Sequence, residues 1–120
     1  MEYIDSETID KCSPIINKIK NSLNDDGQNL IHCIALSKHC SDENIYFKLK
    51  SFGISFNLQD KFKNLPLHYI MLNAQYDSIK KTAIELTPKD MLATQNENLE
   101  TPLHLGLKSI SPFFLNLIYL

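Results

Sequence analysis

Two histidine–cysteine pairs are the residues of this chain whose types and spacing could do chemistry. His32-Cys33 and His39-Cys40 lie seven residues apart, so on one continuous helix both pairs would fall on nearly the same face. Imidazole and thiolate are good zinc ligands, but a structural zinc site needs four of them converging. The helix that carries the first pair is expected to end before His39, so we predict no metal site.

No catalytic residue is predicted either. Cys33 beside His32 could form a nucleophile and its base, but a cysteine in a helix is more often a small core residue. The acidic residues Asp25-Asp26, Glu97 and Glu100 fall in turns, where solvated carboxylates are common. Gly-rich phosphate loops, serine elbows and H-E-x-x-H motifs are missing from the sequence. We therefore expect a protein that is not an enzyme and that holds no cofactor.

The composition argues against nucleic acid and membrane partners. The 120 residues carry a formal net charge of −2, and all 12 basic residues are Lys, so no Arg fork is available for phosphate or guanine contacts. No apolar stretch reaches the roughly 18 residues of a spanning helix, and the acidic N-terminus does not resemble a secretory signal. Three cysteines without a C-x-x-C pair indicate reduced thiols, so we expect an intracellular, cytoplasmic protein.

The histidines also mark an internal repeat. His32, His68 and His104 are each separated by 36 residues. Aligned on these histidines, the sequence reads NDDGQNLIHCIA from residue 24, DKFKNLPLHYIM from residue 60 and NENLETPLHLGL from residue 96. A fixed period of this length is typical of stacked supersecondary units.

These units resemble the ankyrin repeat family over roughly residues 21 to 120. Thr101-Pro102-Leu103-His104 matches the family's T-P-L-H motif, and Pro66-Leu67-His68 matches three of its four letters. Asn24-x-x-Gly27 and the stretch GISFN from residue 53 match the flanking loops. The resemblance implies an all-α solenoid of stacked helix-turn-helix units with hairpin-like loops, and a non-enzymatic protein–protein interaction module.

The resemblance also sets the expected boundaries. An N-terminal capping helix within residues 1–23 should precede repeats at 24–59, 60–95 and 96–120, the last of them incomplete. First helices are expected at 30–37, 66–73 and 102–108, and second helices at 42–52, 77–86 and 112–120. Ser13-Pro14 indicates a start for the capping helix. Whether that helix begins earlier, near Ser6, stays open.

Six residues are expected to shape the repeats. The resemblance implies that the imidazoles of His32, His68 and His104 hydrogen-bond backbone in a neighbouring loop. Gly27 permits a positive φ in the first turn, Gly53 suits the left-handed cap of a helix, and Thr101 can cap a helix N-terminus.

The chain departs from the family pattern in three places. Lys63 and Leu99 replace the turn glycine. The pair of small residues in the first helix reads Ile34-Ala35, Ile70-Met71 and Gly106-Leu107, and larger residues there should change the spacing or curvature of the stack. The loop after the second repeat lacks its glycine, and we expect Thr87 to cap a short helical turn that starts at Pro88.

A partner protein is expected to contact the loop tips and the exposed side of the first helices. Carrying the family's positions over assigns thirteen contact residues: Asp25, Asp26, Gln28, Leu36, Gln59, Lys61, Phe62, Asn64, Leu72, Asn73, Glu97, Asn98 and Glu100. Phe62 is the large aromatic among them. It is either a binding anchor or a ring folded back onto Leu58 or the neighbouring turn.

Three kinds of role are compatible with this pattern. The first is a binding module, of the kind that a pathogen effector would use on a protein in the host cytoplasm. The second is an accessory segment of a larger multidomain enzyme. The third is a small self-associating protein, for which the apolar segment from Phe113 to Leu120 would supply the interface. The same segment is expected if the chain is a fragment of a longer array.

Overall fold

The computed structural model describes residues 5–37, 40 and 42–109, and these residues form helices and turns without strands. The α-helices in chain order are α1 (Ser6–Lys11), α2 (Ser13–Ile19), α3 (Leu30–Ser37), α4 (Asn44–Ser51), α5 (Pro66–Asn73), α6 (Asp77–Leu86) and α7 (Pro102–Lys108). A short 3-10 helix spans Lys89–Met91. The all-α prediction therefore holds for the described residues. None of these helices combines the length and the apolar composition that crossing a bilayer requires.

The helices pack in two rows. One row contains α3, α5 and α7, and the other contains α1, α4 and α6, with each helix against the next in its row. Contacts between α5 and α6 join the two rows. The core between them includes the fully buried side chains of Ile31, Ile45, Leu49, Leu67 and Ile70. Burying such side chains supplies the main favourable term in folding.

Helices α3, α5 and α7 begin and end where the repeat predicts. Pro66 and Pro102 stand at the first helical position, where a missing N–H costs no hydrogen bond. Thr101 caps α7, because its side chain accepts a hydrogen bond from the backbone N–H of His104. Proline marks the starts of α5 and α7, and the Thr101 cap also marks that of α7, so these two helix starts were predictable from the sequence.

The second helices agree less closely. Helix α6 has the predicted bounds, whereas α4 is shorter than the predicted 42–52 and ends before Phe52. Gly53 follows with φ of 88°, and its N–H donates to the carbonyl of Lys50 at 2.9 Å, as in a left-handed helix cap. The N–H of Ile54 donates to the carbonyl of Leu49 and completes the same capping motif. The predicted helix at 112–120 lies outside the described residues.

The N-terminal part contains two short helices in place of one. Helix α2 starts at Ser13, as Ser13-Pro14 predicts, and α1 precedes it. The break falls at Cys12, two residues before Pro14, because proline has no N–H to donate to the carbonyl of Asp10. That carbonyl accepts the hydroxyl of Ser13 at 2.8 Å instead. Helix α1 is held by Asp42, whose carboxylate accepts the N–H of Ser6, and by an ion pair between Lys48 and Asp10.

The segment that follows α6 differs from the prediction that Thr87 caps a short helical turn. A short helical turn is present there, but it is the 3-10 helix Lys89–Met91, and Thr87 does not cap it. The hydroxyl of Thr87 donates instead to the carbonyl of Ala83 at 2.7 Å. Thr87 therefore closes the end of α6, and Pro88 is the residue that precedes the new turn.

Candidate partner-binding surface

Three turns with the same hydrogen bonds precede α3, α5 and α7. In each, the first residue is Asn or Asp, its backbone N–H donates to the carbonyl four residues on, and its carboxamide or carboxylate oxygen accepts two backbone N–H groups. We call the segments 24–28, 60–64 and 96–100 the first, second and third turn. An Asx side chain commonly organises a turn in this way.

The fourth residue of each turn has left-handed backbone geometry. Gly27 has φ of 71°, Lys63 of 64° and Leu99 of 63°. Lys63 and Leu99 replace the turn glycine without changing the turn, although a side chain makes this geometry less favourable. The hydrogen bonds on both sides of the residue hold it there, since the N–H groups of Lys63 and Leu99 donate to the carbonyls of Asp60 and Asn96.

The turns are joined to one another through their tips. The N–H of Lys61 donates to the carbonyl of Asp26 at 2.9 Å, and the N–H of Glu97 donates to the carbonyl of Phe62 at 3.0 Å. One backbone hydrogen bond thus links the first turn to the second and the second to the third. The tips therefore form a continuous edge with fixed spacing.

Two of the three repeat histidines tie one turn to the next. The side chains of His32 and His68 are fully buried, and their Nε2 atoms lie 3.0 Å and 2.9 Å from the carbonyl oxygens of Asn64 and Glu100. Each Nδ1 atom accepts a backbone N–H, from Asn29 and Leu65 respectively, so each ring is neutral with its proton on Nε2. Burial lowers the pKa of both imidazoles below the ordinary value of 6.5.

His104 differs from the other two. Its Nδ1 accepts the N–H of Thr101 at 2.9 Å, as in the other repeats, but its side chain is exposed. Its Nε2 has no hydrogen-bond partner among the described residues. Among the described residues, the expected tie between imidazole and a neighbouring loop is therefore present for His32 and His68, and His104 makes none.

A chain of polar side chains crosses the three turns beneath the tips. Gln28 donates to Asp60 at 3.0 Å, Tyr69 donates to the same carboxylate, and Asn64 donates to the Tyr69 hydroxyl at 3.0 Å. Asn96 then donates to Asn64 at 2.9 Å and to Glu100 at 3.2 Å. We call these six residues the polar ladder. Its members link side chains that are 32 residues apart in sequence, which no local pattern predicts.

Ionisation in the polar ladder follows its hydrogen bonds. Burial tends to raise the pKa of Asp60, but hydrogen bonds from Gln28, Tyr69 and backbone N–H groups outweigh it and leave the pKa below its ordinary value. Burial and the bond to Asp60 raise the pKa of Tyr69 to about 12. Asp60 is therefore an anion at neutral pH, and Tyr69 is its neutral donor.

Several predicted contact residues are occupied inside the chain. Gln28 is buried and Asn64 is half-buried, and both belong to the polar ladder, so we leave them out of the proposed surface. Glu100 also belongs to the ladder and pairs with Lys108, which holds its pKa below the ordinary value. The side-chain amide of Asn73 donates to the carbonyl of Ala35 at 3.3 Å.

The remaining predicted residues line one exposed edge. Asp25, Gln59, Lys61, Phe62, Glu97 and Asn98 are exposed at or beside the tips, Leu36 and Leu72 are exposed on α3 and α5, and Asp26 is half-buried. Lys61 pairs with Asp26 at 2.6 Å, and its ammonium lies 5.0 Å from the centre of the Phe62 ring. Leu99, treated in the sequence only as a glycine replacement, is 69% exposed at the third tip.

The structure describes the first histidine–cysteine pair and Cys40 of the second. No group of three His, Cys, Asp or Glu side chains there could hold a metal ion, and His39 lies outside the described residues. Burial raises the pKa of the Cys33 thiol, and it raises that of the Cys40 thiol to about 11, so both are protonated at neutral pH and poorly nucleophilic. No protein-family model matches the chain, and the comparison with curated proteins gives no significant match.

Proposed function

We propose that this chain is an ankyrin-type repeat solenoid that acts as a non-enzymatic protein-binding module. The support is the recurrence, at a spacing of 36 residues, of one turn, one helix after a proline or equivalent residue, and one imidazole at the same position. The hydrogen bonds of the turns recur with the same spacing. Repeat arrays of this kind bury a continuous core and present an extended surface for partners.

The binding proposal rests on Phe62, an exposed aromatic residue on a backbone that hydrogen bonds hold in place. The residue is 37% exposed at the tip of the second turn, while its N–H is held by the Asp60 carboxylate and its carbonyl by the N–H of Glu97. A large aromatic side chain on an immobilised backbone loses little entropy on binding, and such residues are frequent hot spots. Lys61 packs over the ring and limits the positions that it can take.

The charges of the edge refine this proposal. Asp26 is neutralised by Lys61 and Glu100 by Lys108, whereas Asp25 and Glu97 are exposed and have no ion pair among the described residues. The two exposed carboxylates flank the Phe62 turn, one on each neighbouring tip. A partner segment with an apolar side chain between basic ones is complementary to that order.

The substitution Phe62→Ala tests the binding proposal. Proteins retained from a lysate by the immobilised wild-type chain, and lost with Phe62→Ala, are identified first. Their affinity is then measured by titration calorimetry with purified partner. We expect a loss of about 2 kcal/mol or more in binding free energy, about thirtyfold in affinity, because truncating a central aromatic anchor commonly costs that much.

Phe47→Ala is the matched control. Phe47 is an aromatic residue of similar exposure, 45%, but it lies on α4 in the other row of helices. The substitution Phe47→Ala should leave binding unchanged. Both Phe62→Ala and Phe47→Ala should have the melting temperature of the wild type. Equal affinity of the wild type and Phe62→Ala for every retained protein would contradict the proposal, as would an equal loss with Phe47→Ala.

A further inference from the structure

Helix α1 is attached to the stack by few buried groups. It packs mainly against α4, and Ile9 is the one residue of the helix that is buried. Cys12, which follows the helix, is half-buried and packs against the core. Isolated helices shorter than about 12–15 residues are marginal in water, and α1 has only 6. Helix α1 therefore depends on its contacts with α4 to stay helical.

The polar contacts that hold α1 converge on two residues, Asp42 and Lys48. The N–H of Ser6 donates to the Asp42 carboxylate at 3.2 Å. The Lys48 ammonium donates to the Ser6 carbonyl at 3.3 Å and pairs with Asp10. The side chains of Lys48 and Asp10 are 33% and 63% exposed, so water and salt screen the attraction between them. These contacts are therefore sensitive to ionic strength.

Docking of α1 leaves one buried acceptor unsatisfied. The Oδ1 atom of Asp42 is buried and has no hydrogen-bond partner among the described residues. A buried acceptor without a partner is unfavourable, because it has lost its hydrogen bonds to water. Ser6 lies directly against this carboxylate, so water can reach it once α1 has left. The docked state is thus destabilised at the same residue that helps to hold it.

The chain has a hinge between α1 and the rest of the stack. Cys12 alone separates α1 from α2, and its φ of −93° and ψ of 6° lie outside the helical region. Beyond it, Ile16 anchors α2 in the core with 3% exposure. A rotation at Cys12 can therefore detach α1 while α2 stays in place.

We propose that α1 is a cap that opens on its own, leaving α4 by rotation at Cys12 while the rest of the stack stays folded. The contacts of Asp42 and Lys48 keep the cap closed, and a rise in ionic strength opens it. Local opening of this kind is expected where few apolar groups are buried and the polar contacts lie close to solvent. The open state uncovers the side of α4 that carries Lys48 and leaves the edge around Phe62 unchanged.

Two rates measured on the native full chain test the proposal: alkylation of Cys12 by iodoacetamide and hydrogen exchange of the α1 amides, both located by peptide mass spectrometry. Lys48→Met removes both contacts of the ammonium and keeps an apolar stem, so it should raise both rates by about fivefold or more. Ile9→Ala removes the apolar anchor and should raise them by about tenfold or more. Lys50→Met is the matched control, because Lys50 is exposed on the same helix and has no ion pair among the described residues. It should leave both rates unchanged.

Hydrogen exchange of the α5 amides separates opening of the cap from unfolding of the whole chain. Raising NaCl from about 0.02 M to about 0.5 M should speed exchange in α1 of the wild type, but not in α5 and not in α1 of Lys48→Met. If the α1 amides of the wild type exchange no faster than those of α5, the cap does not open separately and the proposal is overturned. Equal rates in Lys48→Met and Lys50→Met overturn it too, as does an increase in Lys48→Met that is the same in α1 and α5.

Discussion

His68 is the residue whose removal tests the turn ties most directly. Its ring joins the backbone of Leu65 to the carbonyl of Glu100 while fully buried. His68→Ala leaves a buried N–H and a carbonyl without their partner, so we expect a loss of roughly 1–3 kcal/mol in unfolding free energy. Urea unfolding followed by circular dichroism measures it.

His104→Ala is the comparison within the same chain. The ring of His104 keeps the Nδ1 contact with Thr101 but is exposed, so its removal should cost less than that of His68. Equal losses in the two variants would show that the tie to the next turn contributes nothing beyond the contact inside the repeat.

Leu99 offers a gain in stability at a single position. Its φ of 63° is a geometry that glycine adopts without strain, and its side chain is 69% exposed and buries little. Left-handed geometry costs roughly 1–2 kcal/mol for a residue with a side chain, and glycine loses up to about 1 kcal/mol more backbone entropy. Leu99→Gly should therefore raise the unfolding free energy by about 0.5–1 kcal/mol.

Asn98→Gly controls for backbone entropy. Asn98 lies in the same turn, is exposed, and has no left-handed φ, so glycine there brings the entropy cost without relief of strain. The unfolding free energy of the Asn98→Gly variant should therefore be lower than that of the wild type. Denaturant midpoints of the two variants should move in opposite directions, and a fall for Leu99→Gly would mean that the turn does not strain this residue.

Among the elements, the contact between α5 and α7 shows how the departures from the repeat pattern compensate one another. Met71 is larger than the alanine of the equivalent position in α3, and Gly106 lies directly opposite it on α7. A methyl group at Gly106 would stand 2.8 Å from the terminal carbon of Met71. The small residue on one helix thus makes room for the large one on the next.

This compensation predicts a coupling between Gly106→Ala and Met71→Ala. Alanine in a helix interior is favoured over glycine by about 1 kcal/mol, but in the wild type the new methyl group must displace Met71. We expect Gly106→Ala to stabilise the chain by less than about 1 kcal/mol in the wild type and by about the full amount when Met71 is alanine. A double-mutant cycle in urea measures the difference, and additive effects would contradict it.

The helix starts could be predicted from the sequence, whereas contacts between distant side chains could not. The starts of α5 and α7 could be predicted because proline is favoured at the first helical position, which Pro66 and Pro102 occupy, and because the Thr101 side chain caps α7. The Thr87 prediction failed because a hydroxyl can bond backwards into the preceding helix as easily as forwards. The polar ladder could not be predicted, since it depends on which side chains the stack brings side by side. Its hydrogen bonds hold the side chains of Gln28 and Asn64, two of the predicted contact residues, inside the chain.

For the molecule as a whole, stability in a repeat stack is close to a sum over neighbouring interfaces, so groups at the interfaces set its response to pH. His32 and His68 sit at the two links between turns, bonded to the backbone carbonyls of Asn64 and Glu100 and within reach of the Asp60 charge, and burial lowers their pKa values. Each ring is used as a neutral donor at Nε2 and acceptor at Nδ1. Protonating Nδ1 would set it against the backbone N–H of Asn29 or Leu65 that it accepts, so that two donors face each other in each of these repeats.

The pH dependence follows with a definite sign. Because the folded pKa values lie below 6.5, the unfolded chain binds more protons as the pH falls through that value, and the unfolding free energy must decrease. The stabilising contribution is complete above about pH 6.5 and is lost towards the folded pKa values. Urea midpoints measured from pH 8 to pH 5 should fall in this window, and the fall should be smaller in His68→Ala, which keeps one titrating link. A flat profile, or an equal slope in both proteins, would show that the links accept the charged imidazole, and the stack would then be held mainly by its apolar rows.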